Sequence, residues 1–170
     1  MSPAEVLRVA DPILSAPPPR GWLDCAVGGG SGAVAPAHMT PAEVLRVADP
    51  ILSAPPPRGW LDCALAVDLV LRALTGRSGL GDLAGAYATP AQARRLIRRG
   101  GGAVLFRAGV IRAGMVPCGD VPGAVGFTPE GRWGFAVAIC AGPGVWLVPV
   151  LQGFAVRADM DSCWRFAEWA

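Results

Sequence analysis

One stretch constrains this chain more than any other. Asp62-Cys63 stands at the head of the apolar run Ala64-Leu65-Ala66-Val67-Asp68-Leu69-Val70-Leu71-Arg72-Ala73-Leu74. The approach to it, Ala54-Pro55-Pro56-Pro57-Arg58-Gly59, cannot continue a helix and is expected to be extended and polyproline-like. Asp62 is then placed as an N-cap, its carboxylate taking a free N–H of the first turn. The spacing predicts a helix over about 62–75 that is apolar nearly all round, which marks a central, buried helix. Gly76 is its expected C-cap. Cys63 falls in the first turn, at the positive end of the helix dipole, where a thiolate is favoured over a thiol. Cys63 is thus a candidate nucleophile. The reading preferred for it is nevertheless a small residue packing a helix start.

A duplication precedes this stretch. Pro3 to Ala26 repeats as Pro41 to Ala64, letter for letter. The connector Val27-Gly28-Gly29-Gly30-Ser31-Gly32-Ala33-Val34-Ala35-Pro36-Ala37-His38 is composed like a flexible linker. Two identical copies, one lacking the helix after its cysteine, do not make a solenoid, which needs three or more diverging repeats. Residues 1–38 are therefore expected to be a spare leader and linker, not integral to the fold. Residues 39–170 are expected to form a single domain. The spare leader offers a route to self-association, by competing for the second copy's seat on a neighbouring chain.

In the second copy, Thr40 as N-cap, Pro41 at N1 and Glu43 at N3 make a capping box. The helix behind it is expected to end near Asp49-Pro50. Thr89-Pro90 starts another helix, through Arg99, and Gly100-Gly101-Gly102 stops it. A short helical turn is expected at Asp82-Leu83-Ala84. The segment 103–112 reads as helix or strand. Val116-Pro117-Cys118-Gly119-Asp120-Val121 reads as a turn entering a strand. Strands are expected at Val125-Gly126-Phe127, 133–140, 145–150 and 154–157, with turns at Pro129-Glu130-Gly131 and Gly142-Pro143-Gly144. Ser162-Cys163-Trp164-Arg165-Phe166 closes the chain. Helices first and antiparallel strands later is the α+β order.

Several classes of function are excluded. The composition is 52% hydrophobic, yet every long apolar run is broken well short of the roughly 18 residues a membrane helix needs. A net charge of +2 argues against nucleic acid. Arg94, Arg95, Arg98 and Arg99 read as one solvated helix face. The five cysteines, Cys25, Cys63, Cys118, Cys140 and Cys163, fit no zinc spacing. With no signal peptide before them, they are expected to be reduced thiols in a cytoplasmic protein. No metal or other cofactor is implied. Trp60, Trp133, Trp146, Trp164 and Tyr87 are expected in packing roles.

Taken together, Gly59-Trp60-Leu61-Asp62-Cys63-Ala64, Cys118-Gly119-Asp120-Val121 and Gly134-Phe135-Ala136-Val137-Ala138-Ile139 resemble the NlpC-type, papain-like cysteine peptidases. Those carry a G-x-D-C motif opening a central helix, a G-D turn into the sheet, and a G-H-V strand that supplies a histidine. The chain is also similar to an uncharacterised family of tailed phages and prophages. The shared elements are Asp62-Cys63-Ala64, Thr75-Gly76, Gly85-Ala86-Tyr87, Gly100-Gly101, Gly119-Asp120-Val121 and Trp164-Arg165, spanning roughly Thr40 to Phe166. The resemblance implies an NlpC-like α+β fold, with N-terminal helices packed on a small antiparallel sheet, and a site at Cys63, Asp62 and Asp120.

One departure weighs against catalysis. Where the peptidases have histidine, this chain has Phe135, and its single histidine is His38, in the connector. No lysine exists to substitute. Asp120 or Asp68 could act as a base, but a carboxylate beside a thiol also repels the thiolate. The expected function is a non-catalytic phage or prophage structural or tail-assembly protein on a degenerate peptidase fold, with other phage structural proteins as partners and the virion as a second location. The alternative is a cysteine hydrolase or amidase acting on peptidoglycan peptides through Cys63. A third reading is a binding domain unrelated to phage tails.

Overall fold

The computed structural model describes residues 39–56, 62–80, 83, 85–129 and 135–169. The leader and linker, the tryptophans at 60 and 133, most of the turn at 82–84 and the glycine at 134 lie outside the described residues.

Among the described residues four helices come first: α1 (Pro41–Ser53), α2 (Cys63–Thr75), α3 (Pro90–Arg99) and α4 (Ala103–Arg112). Six strands follow: β1 (Met115–Pro117), β2 (Val125–Thr128), β3 (Ala136–Gly142), β4 (Val145–Val150), β5 (Gly153–Arg157) and β6 (Ser162–Phe166). They form one sheet in the order β1-β6-β2-β3-β4-β5, every pair antiparallel. The last strand of the chain thus inserts between the first two. The α+β class expected from the element order is the class observed.

The caps are where local chemistry puts them. Thr40 and Glu43 close a full capping box, the Glu43 carboxylate accepting from the Thr40 N–H at 2.7 Å. Thr89 and Gln92 close a second one on α3, with Pro90 at its first position. Gly76 ends α2 at φ 72°, a left-handed conformation that glycine alone adopts at no steric cost.

Two expectations are corrected here. Helix α1 does not stop at Pro50 but runs a further turn to Ser53, with Pro50 inside it. Proline there removes one N–H and crowds the carbonyl four residues back. Burying Leu52 to 5% exposure offsets that cost, since full burial of a leucine is worth about 1.5–3 kcal/mol. The 116–121 segment is reversed relative to expectation. The strand comes first, in β1, and the turn follows it. The segment 103–112, readable either way, is helix. Beyond the glycine turn at 100–102, the face carrying Phe106 and Val110 is buried against the main core.

The sheet has two different faces. On one, α1 and α2 pack over β3, β4 and β5, and α4 packs beside β1. Val44, Ala48, Val67, Val70, Leu71, Val125, Phe127, Ile139, Leu147 and Phe166 make the main core there. The other face carries a small second core of Ala124, Ala138, Cys140 and Trp146, covered by Val121, Met160 and their neighbours. Gly126 on β2 lies under that cover. A Cβ there would stand 2.7 Å from both the Trp146 ring and the Met160 side chain, so the position takes no side chain. Trp146 and Trp164 are 0% and 4% exposed, in line with the packing roles expected of them.

Candidate functional site

Helix α2 sets the candidate site. The Asp62 carboxylate accepts from the Leu65 N–H at 3.0 Å, so the expected N-cap is present and Cys63 is the first residue of the helix. The thiol donates to the Pro149 carbonyl of β4 at 3.7 Å. Cys63 lines a cleft of about 530 Å³, open mouth included, whose walls are mostly apolar: Tyr87, Leu96, Ile97, Phe106 and Phe135. The Phe135 and Phe106 rings stand 4.5 Å apart, and Phe135 is 8% exposed. Phe135, which stands where the motif resemblance leads one to expect a histidine, therefore shares a cleft with Cys63.

The electrostatics oppose activation. The helix dipole was expected to favour a thiolate. Instead burial, reinforced by the adjacent Asp62 carboxylate, pushes the Cys63 thiol up to about 11, and the backbone N–H offsets little of this. Desolvation in an apolar cleft outweighs half a unit of dipole charge. At neutral pH Cys63 is a thiol.

Neither candidate carboxylate base serves Cys63. Asp120 accepts from the Gly144 N–H at 3.3 Å and from the Cys163 thiol at 3.7 Å. Gly144 precedes β4, whereas Cys63 is bonded to Pro149 near the other end of that strand, roughly 16 Å along it at about 3.3 Å per residue. Cys163 also belongs to the sheet face opposite the helices. The N–H that Asp120 holds at Gly144 is 24 positions away in sequence.

Asp68 is buried at 2% exposure and fully engaged. Its oxygens accept from the Ser78 hydroxyl, the Gly79 and Leu80 N–H groups at 2.8 and 3.0 Å, and Arg72 Nε at 2.7 Å. It pins the loop after α2 and is not among the residues that line the Cys63 cleft. Cys118 and Cys140 lie on the far face of the sheet from Cys63. Among the described residues no three His, Cys, Asp or Glu side chains are arranged to hold a metal ion.

The cleft wall supplied by α3 was missed in the sequence. Its signal was there, because Ala93, Leu96 and Ile97 recur at helical spacing opposite the arginine face.

If the missing acceptor is what keeps Cys63 inert, an imidazole placed in the cleft should change its titration. The Phe135→His variant is expected to lower the apparent pKa of Cys63 by a unit or more, read from alkylation rate against pH. An unchanged profile in a folded variant would show that position 135 does not govern the thiol.

Fold and site together define an α+β domain with a half-buried cysteine at the first position of a helix, in an apolar cleft. The chain belongs to the family described as a domain of unknown function, DUF6950, whose model matches residues 42–166. No curated protein and no solved structure matches it. Among the described residues no helix is long and apolar enough to cross a membrane.

Proposed function

We propose that the chain is a non-catalytic structural or tail-assembly protein of phage or prophage origin, built on an NlpC-like, papain-like fold that serves as a scaffold. The phage context and the peptidase kinship rest on the motif resemblance. The observation that carries the non-catalytic reading is the pairing of Cys63 with Phe135 in one apolar cleft. Thiol catalysis needs a group that takes the proton and later returns it to the leaving amine. A phenyl ring can do neither. A fold by itself confers no activity.

The surface supports a contact role. Val104 and Ile111 are 66% and 52% exposed on α4, and seven residues apart they share its outer face with Arg107. Exposed aliphatics beside a cation suit a protein partner.

The hydrolase alternative draws on the position of Cys63 at a helix N-terminus in a cleft. Two variants separate the readings, assayed by mass spectrometry of particles from a phage or prophage that encodes the chain. Under the scaffold reading the chain is found in particles or their assembly intermediates, Cys63→Ala leaves particle yield unchanged, and Val104→Asp with Ile111→Asp reduces incorporation. Loss of infectivity together with loss of peptidoglycan cleavage in Cys63→Ala would support the hydrolase instead.

A further inference from the structure

The face of the sheet away from the helices brings two more cysteines together, and neither belongs to the Cys63 cleft. Strands β1 and β6 pair with Met115 opposite Phe166, Val116 opposite Arg165 and Pro117 opposite Trp164. One step further along that register sets Cys118 directly opposite Cys163. The ladder continues there, since the Cys118 N–H donates to the Cys163 carbonyl at 3.0 Å. Residues directly opposite in an antiparallel pair project from the same face. Both side chains are half-buried and pack against the second core. A hydrogen-bonded antiparallel pair holds its Cα atoms about 5.5 Å apart, within the roughly 4.4–6.8 Å that a disulfide spans.

The third thiol on this face is not an equivalent partner. Cys140 is fully buried and donates to the Gly142 carbonyl at 3.1 Å. It lies on β3, two strands from β6, with β2 between them. At about 4.8 Å per strand the separation is near 10 Å, beyond the reach of a disulfide without backbone movement.

We propose that Cys118 and Cys163 form a modification site, closing to a reversible cross-strand disulfide when a small-molecule disulfide such as oxidised glutathione is the oxidant. Deprotonated Cys118 attacks one glutathione sulfur, and one glutathione leaves and takes up a proton. Cys163 then gives up its proton, and its sulfur attacks the Cys118 sulfur, releasing the second glutathione. Two protein S–H bonds become one S–S bond, and the oxidant's S–S bond becomes two S–H bonds. Two electrons pass from the protein to the oxidant.

Cys118 attacks first because the Cys163 thiol is the one bonded to the Asp120 carboxylate, which holds its proton, whereas Arg165 partly offsets the burial that pushes the Cys118 thiol up. The Asp120 carboxylate, 3.7 Å from the Cys163 sulfur, is a brake on the reaction. The bridge would clamp the edge strand β1, and the turn that carries Asp120, to the neighbouring strand β6.

The test is peptide mapping of the full chain after oxidised glutathione at mild alkaline pH. Every basic residue is arginine, so trypsin places the cysteines at 118, 140 and 163 in separate peptides, 113–132, 133–157 and 158–165. The expected product is 113–132 joined to 158–165 with the loss of two hydrogens, released by reductant and absent from Cys118→Ser. Asp120→Asn, which keeps an acceptor for the Gly144 N–H, is expected to speed closure several-fold. A stable glutathione adduct without a bridge, a bridge to 133–157, or thiols that remain fully alkylatable would overturn the assignment. An Asp120→Asn rate equal to wild type would overturn the brake.

Discussion

Asp68→Ala is expected to cost about 3–5 kcal/mol of folding stability, the scale of breaking a buried charged network by removing one partner. The carboxylate is 2% exposed and holds four groups: Arg72, Ser78 and the N–H groups of Gly79 and Leu80. Alanine leaves two buried N–H donors without an acceptor, and each such orphan costs about 1–3 kcal/mol. Asp68→Asn keeps one acceptor oxygen but turns an NH2 toward donors, so a smaller loss is expected. Urea unfolding measures both. A loss under about 1 kcal/mol for alanine would mean that the loop after α2 finds other partners, and that Asp68 is free for another role.

Alkali is expected to destabilise the protein more steeply than acidity near neutrality. Unfolded thiols ionise near 9.0, whereas folded Cys63 and Cys118 hold their protons to about 11. Burial pushes Cys140 further in the same direction. Between those values the unfolded chain binds fewer protons than the folded one. Stability is therefore complete below pH 9 and is lost as pH rises through the folded values. Each buried thiol contributes up to about 1.4 kcal/mol per pH unit in that window. Cys163 counts least, because solvent screens a more open site. Urea midpoints with a phosphine reductant present should fall clearly between pH 8.5 and 10.5, and more shallowly in Cys140→Ala. A flat response would mean that the thiols are more hydrated than the packing indicates.

What could be read from the sequence is what local chemistry determines. Thr40 with Glu43, Thr89 with Pro90, Asp62 ahead of α2 and Gly76 behind it all act within one helical turn, and all sit in the places their residue types indicate. What could not be read depends on distant partners. Asp68 could be read as a base because the groups it holds at Gly79 and Leu80 lie eleven and twelve positions further on. Pro50 looked like a helix stop because the contacts that retain Leu52 belong to other elements. Asp120 looked like part of a site with Cys63 because sequence order does not say on which face of a sheet a turn lands. The closing strand β6 was visible as a segment, but its insertion between β1 and β2 was not.

A non-catalytic Cys63 has to remain a thiol. Native-state alkylation of Cys63 by iodoacetamide, followed through its tryptic peptide 59–72, tests this directly. The rate constant is predicted to climb about tenfold per pH unit from pH 6 to 9 with no plateau, as the thiolate fraction of a group near 11 requires. A plateau with an inflection below about pH 8, or peptidoglycan turnover that disappears in Cys63→Ala, would contradict it.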